Sequence, residues 1–171
     1  MRAAAEDLMQ GFRFHVTAST SVGADPLAFT TDPAEGAQAG FQSVTIPEVT
    51  TEAAEYREGT SKWTQKYPGP PTVSDCTLMR GIAMTDTAFF DWIMAALDGR
   101  EYRADVTIWH YQRAEMDQAL AAGVSTRQYL CGNAFGIRAK PAGDFDSTSG
   151  EVSLAEVDFA MESLEVITQA I

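Results

Sequence analysis

An antiparallel β-barrel or sandwich with one flanking α-helix is the fold class this sequence predicts, and three observations predict it. Apolar and polar residues alternate at period two along most of the chain, in stretches rich in β-branched and aromatic residues. A single segment, residues 86–97, changes to a spacing of three and four. Turn-rich links such as residues 141–150 separate the alternating stretches, as connections between antiparallel strands do.

The first strand is Phe12-Arg13-Phe14-His15-Val16-Thr17, with Phe12, Phe14 and Val16 on one face and Arg13, His15 and Thr17 on the other. Residues 19–40 then dissolve into Ser, Thr, Gly, Ala, Asp and Pro, which predicts a surface loop inserted into a single domain spanning residues 1–171. Alternation returns at residues 41–46, stops at Pro47 and resumes over residues 49–57 with few large apolar side chains. A strand polar on both faces fits a water-filled lumen or the edge of an assembly, because one buried face normally sets register in a monomer. Residues 57–72 read as a long connection through Gly59, Pro68, Gly69, Pro70 and Pro71, yet they carry Trp63 and Tyr67. Aromatics placed where little core is available predict a contact surface.

Residues 73–80 form the next expected strand, followed by Gly81. The helix has Thr85 as its expected N-cap, Asp86 in the first turn, Gly99 as its stop, and an apolar face of Phe89, Phe90, Ile93, Met94 and Leu97. Residues 102–111 read as a long central strand with Val106 and Ile108 inward, and residues 113–123 as a helical turn or two or a loop. Two short pieces follow, at residues 127–131 and 135–139, where Gly132 and Gly136 bracket a bulge or sharp turn. Residues 151–167 complete the fold as a strand pair or one bulged strand, with Phe159 and Met161 inward and a phase change expected near Ala155-Glu156.

Composition narrows function. Acidic residues outnumber basic ones 24 to 12, giving a net charge of −12, and the cations are scattered along the chain. This argues against sequence-specific nucleic-acid binding, which needs a gathered basic patch. The start of the chain lacks the apolar run of a signal peptide, and no stretch approaches the roughly 20 apolar residues of a membrane span, so synthesis in the cytoplasm and no direct membrane anchoring are expected. Cys76 and Cys131 lie far apart in sequence without neighbouring ligands; buried thiols are the main reading, a disulfide or metal site the alternative.

No motif for chemistry emerges. Ser61 and Ser125 lack the Gly-x-Ser-x-Gly frame, and both phosphate-binding glycine motifs are missing, so the sequence predicts no enzyme, no cofactor and no metal. His15 and His110 sit in strands without a matching carboxylate or cysteine. Asp144 and Asp146 share a turn without the later ligands of a calcium loop. Glu151, Glu156, Asp158, Glu162 and Glu165 give the last strands an acidic side, either a solvated face or a channel wall.

The run Glu55-Tyr56-Arg57-Glu58-Gly59, then Lys66-x-Pro68-Gly69, Leu78-x-Arg80-Gly81, Asp86 and Trp92, resembles the tail tube protein family of contractile-tailed phages and contractile injection systems. The resemblance implies a tail-tube-like subunit that assembles into hexameric rings stacked into a hollow inner tube within a contractile sheath. Implied partners are further copies of the chain, the sheath, baseplate and spike components, and a cargo of DNA or protein effectors. The particle would be assembled in the bacterium as a phage tail or injection device. Carried over, Glu55, Tyr56, Arg57, Glu58, Gly59, Lys66, Pro68, Gly69, Arg80 and Gly81 are assembly positions, with Trp63 and Tyr67 on the same surface; Arg57 and Arg80 would pair with carboxylates across an interface, and Pro68-Gly69 would fix a turn. The 19–40 insertion leaves a tube-initiating or baseplate-proximal ring of the same family as the alternative. A small-molecule-binding barrel is a third reading, and a secreted type VI tube component a fourth.

Overall fold

The computed structural model describes residues 11, 14–20, 41–59, 62–82, 87–111, 127–143, 150 and 152–168. Phe12, Arg13, Thr85, Asp86, Asp144, Asp146 and Glu151, the region 113–123 and most of the expected insertion lie outside the described residues. The fold is mainly antiparallel β with one helix, as the alternation implies. Its elements are β1 (Phe14–Thr20), β2 (Phe41–Thr45), β3 (Val49–Tyr56), β4 (Gln65–Val73), β5 (Cys76–Gly81), α1 (Ala88–Leu97), β6 (Ala104–His110), β7 (Arg127–Lys140), β8 (Leu154–Ala160) and β9 (Ser163–Thr168). Ser19 and Thr20 thus belong to β1 rather than to a loop.

Seven strands form one curled sheet in the order β1-β6-β7-β8-β5-β2, with β9 also paired to β7. The two pieces expected at 127–131 and 135–139 are one strand. At its middle, Gly132 and Asn133 oppose the single residue Asp105, and this bulge was legible in the glycines. Asn133 takes φ +55°, its N–H donates to Asp105 Oδ1 at 2.9 Å, and its side-chain amide donates to Glu162 Oε2 at 2.5 Å. The bulge is where β7 changes partner along one edge: residues 127–132 pair with β9 and residues 135–140 with β8. The interruption between strands that accommodates this change falls at Met161-Glu162, not at Ala155-Glu156. Ala155, Val157, Phe159 and Met161 keep one buried phase throughout, because β8 alternates without interruption.

The concave side gathers Val16, Leu78, Val106, Ile108, Val157 and Phe159, each at most 1% exposed. Cys76 and Cys131 lie in the same core as free thiols. Burial pushes the Cys131 thiol up to about 12 and raises Cys76 too, with Cys131 and Asp158 adding to the effect, so neither is a reactive thiolate.

The helix lies on β7 and the edge of β8. It begins at Ala88 after Thr87, and the face it buries is Phe89, Trp92 and Ala95. This corrects the expected stripe: Phe90 is 46% and Leu97 75% exposed. The segment is apolar enough to offer two overlapping stripes, and the sheet takes the one that admits an indole. Trp92 Nε1 donates to the Tyr102 carbonyl at 2.6 Å, and its ring lies 5.7 Å from Phe159. Gly136 makes room for this docking, since a Cβ there would sit 3.0 Å from Ile93 Cγ1. Gly99 stops the helix as expected, at φ +69°, with the Arg100 N–H closing back on the Ala95 carbonyl at 2.9 Å.

On the outer side of β8, Asp158 accepts from Thr77 Oγ1 at 2.8 Å and from Arg138 Nε at 2.5 Å, while Arg138 Nη2 reaches Glu156. Burial works to raise the Asp158 pKa, but the Arg138 and Thr77 hydrogen bonds outweigh it and hold the carboxyl below its ordinary value. A carboxyl depressed in the folded state contributes stability that is present above its unfolded pKa and lost as pH falls through the folded one. The melting temperature is therefore expected to fall as pH drops below about 4, the ordinary carboxylate range, and Asp158→Asn to flatten part of that fall. Superimposable acid profiles for the two proteins would contradict the assignment.

Candidate assembly interface

Strands β3 and β4 stand apart from the sheet as a two-stranded antiparallel arm. Every residue of β3 is exposed, as are all of β4 but Gly69 and Val73, and the extensive packing of each strand is against the other. The sequence explains why the arm stays out. With Thr50, Thr51, Glu52, Ala53, Ala54 and Glu55 in succession, neither face of β3 has enough apolar area to repay burial.

The predicted connection over residues 57–72 is thus strand in its second half, with Gln65–Val73 paired to β3. Pro68, Pro70 and Pro71 are tolerated because, among the described residues, each strand of this two-stranded ribbon has an unpaired edge, where a missing N–H breaks no ladder bond. Pro68 pairs with Ala53 and Pro71 with Thr51, so Gly69-Pro70 bulges opposite Glu52 and does not form a turn. Here a glycine is required: a Cβ on Gly69 would lie 2.7 Å from the Glu52 carbonyl oxygen.

Cross-strand contacts along the arm are polar. The Thr50 and Thr72 hydroxyls meet at 2.8 Å and Lys66 Nζ lies 3.2 Å from Glu55 Oε1, while within β4 the Tyr67 hydroxyl donates to Gln65 Oε1 at 2.7 Å. The exposed Glu55–Lys66 pair is of a kind worth about 0–1 kcal/mol, so it sets register more than stability. At the base, Glu48 N–H donates to Ser74 Oγ at 2.8 Å and Ser74 N–H to the Glu48 carbonyl at 2.9 Å, which fixes where the arm leaves β5.

The arm brings together all the expected assembly residues except Arg80 and Gly81. Glu55 and Tyr56 end β3; Arg57, Glu58, Gly59 and Trp63 lie in the link to β4; Lys66, Tyr67, Pro68 and Gly69 lie on β4. Tyr56, Trp63 and Tyr67 are 56%, 76% and 52% exposed, an unusual outlay of aromatic surface for a single subunit. Arg80 and Gly81 instead end β5 in the main sheet. Arg80 is 1% exposed, with its guanidinium carbon 4.2 Å from the Phe89 ring centre and 5.8 Å from that of Phe41. A carboxylate pair across an interface does not describe Arg80 in this subunit: Phe41 and Phe89 enclose it from the two sides of its own fold.

Sequence reasoning missed a second exposed apolar pair, Phe90 and Leu97 on the helix. Their signal was present as apolar positions off the Phe89-Trp92-Ala95 spacing, once that spacing is known to be the buried one. His15 stacks between Trp109 and Tyr111, 5.3 Å from each ring centre, and its Nδ1 lies 2.7 Å from the Tyr111 hydroxyl, a packing role for this histidine. Among the described residues there is no group of three or more His, Cys, Asp or Glu side chains placed to hold a metal ion, and no helix is long and apolar enough to cross a membrane.

The family model for the T4-like virus tail tube protein gp19 matches residues 10–165. The chain belongs to this tail tube family. Solved structures of similar fold include the tube-terminating cap of the anti-feeding prophage, at 21% identity and TM-score 0.72, covering 99% of this chain and 97% of that one. The PVC extracellular contractile injection system, as a sheath–tube complex in the extended state, gives 21% identity and TM-score 0.72, covering 96% of this chain and 95% of that one. Hcp1 from Salmonella typhimurium shares the fold more distantly, at 10% identity and TM-score 0.50, covering 91% and 86%. No curated protein matches in sequence. At these identities the likeness fixes the fold of this tail tube family protein, and the family is one of structural tube proteins.

Proposed function

We propose that this protein is the structural inner tube subunit of a contractile phage tail or contractile injection system, forming hexameric rings that stack into a hollow conduit. The observation that carries this reading is the arm: a polar, aromatic-bearing ribbon with both strands exposed has no role inside one subunit, and it has one where neighbouring copies cover it. Glu55, Tyr56, Arg57, Trp63, Lys66 and Tyr67 then serve assembly. Phe90 and Leu97 offer a separate apolar face for the sheath or a neighbouring subunit. Baseplate and spike components would meet the end ring, and the net charge of −12 suits a lumen that passes DNA or protein cargo without holding a phosphate backbone.

A terminal or baseplate-proximal ring of the same tube is the second reading. It is favoured by the equal likeness, TM-score 0.72 in each case, to a tube-terminating cap and to a sheath–tube complex. Negative-stain microscopy of the purified full chain separates the two. Stacked hollow tubes are expected for the tube subunit and single rings for a terminal ring, whereas a monodisperse monomer at all concentrations would reject both.

A further inference from the structure

Deepening the tube reading, on which it rests, we infer that Trp63 at the tip of one copy's arm seats in a cleft at the far end of β5 in the next copy. The cleft is about 210 Å³ and is lined by Arg80, Thr87, Phe89, Phe90, Pro141 and Ala155. It falls below the roughly 300–1,000 Å³ of small-molecule sites and suits a single side chain. Its walls are two phenyl rings, a proline and an alanine, and the Arg80 guanidinium already stacks on Phe89. A planar aromatic group is the occupant such a lining favours, through offset ring contacts with the exposed Phe90 and packing on Pro141.

Topology makes the contact intermolecular. The arm leaves the subunit at the Cys76 end of β5, and the cleft lies at its Arg80 end. Eight residues of β3 carry the tip about 25 Å from the base, and the arm packs extensively on no other described element, so it does not fold back over its own cleft. A tip that fits a cleft at the opposite end of an identical copy is a head-to-tail contact, which repeats to give a closed ring or a stack. Charge agrees with the pairing. Lys62 lies 5.9 Å from the Trp63 ring, and Asp91 is held to the cleft by accepting from Oγ1 of the lining residue Thr87 at 2.6 Å. Lys62 of one copy therefore faces Asp91 of the next when the indole is seated.

The test uses the full chain. Protein carrying Lys62→Cys and Asp91→Cys, assembled and then mildly oxidised, is expected to run as a covalent ladder on non-reducing gels, while each single variant runs as a monomer. Cys76 and Cys131 are buried and do not compete. Trp63→Ala is expected to raise the concentration needed for assembly about tenfold or more, as loss of an aromatic anchor does, and Trp63→Phe to restore most of it. Assembly of the double-cysteine protein without a ladder, or of Trp63→Ala at the wild-type concentration, overturns the contact while leaving the tube reading intact. A wild-type chain that never assembles overturns both.

Discussion

Gly69→Arg is expected to give a folded protein that forms no tubes. The reason is local and steric. Gly69 and Pro70 bulge opposite Glu52, and any Cβ at position 69 would meet the Glu52 carbonyl oxygen at 2.7 Å, a backbone atom that moves only if the ribbon opens. Opening it there unpairs Tyr67 and Lys66 from Ala54 and Glu55 and displaces the aromatic tip from which assembly is proposed. The sheet core does not depend on the arm, so the melting temperature should stay within about 3 °C of wild type. Gly150→Ala is the matched control, because it lies outside the arm and nothing lies within 4 Å of a Cβ there; it should assemble normally. Tubes from Gly69→Arg indistinguishable from wild type would remove the arm from the assembly mechanism. Arg57→Glu, which reverses a charge beside the tip without a clash, is expected to weaken assembly in the same assay.

Trp92→Ala is expected to produce the largest loss of stability, about 3–5 kcal/mol. Trp92 is fully buried between the helix and the curled sheet, packs on Phe159, and bonds the Tyr102 carbonyl at 2.6 Å. Truncation empties the space that holds α1 against β7 and leaves that carbonyl without its indole donor. Trp92→Phe keeps most of the ring and loses the hydrogen bond, so about 1 kcal/mol is expected. Urea unfolding checks both through the midpoint at constant slope. A Trp92→Ala midpoint close to wild type would show that the helix does not close the core. Since the arm is remote, residual folded Trp92→Ala should still present an intact ribbon.

The strands of the curled sheet were legible because each buries one face, and burial of one face writes itself as alternation. Val106 and Ile108 in β6, and Phe159 in β8, lie inside as their phase predicted. The Gly132-Asn133 bulge was legible for a related reason: a backbone that must bend and approach a neighbour selects small residues and residues tolerant of positive φ. The arm was half legible. Lack of apolar residues in β3 marked a strand outside the core, but the prolines of β4 pointed to a loop, because proline disfavours a central strand and sequence does not say whether a strand has one neighbour or two.

Alternation, charge and the Glu55–Gly81 motifs were enough to determine an antiparallel β subunit of the tail tube family with an exposed, aromatic-bearing segment, since these depend on which residues follow one another. Three matters were decided only in three dimensions. The helix buries Trp92 rather than Phe90 and Leu97, because the sheet beneath it, relieved by Gly136, accepts one stripe of several that the spacing allows. Arg80 is enclosed by Phe41 and Phe89, rings brought to it by β2 and α1 from distant parts of the chain. Pro68 to Pro71 lie in a strand because, among the described residues, that strand pairs with β3 alone and so keeps an open edge. In each case the outcome turns on what lies across from a residue, and that is a property of packing which no order of residues along one strand or helix contains.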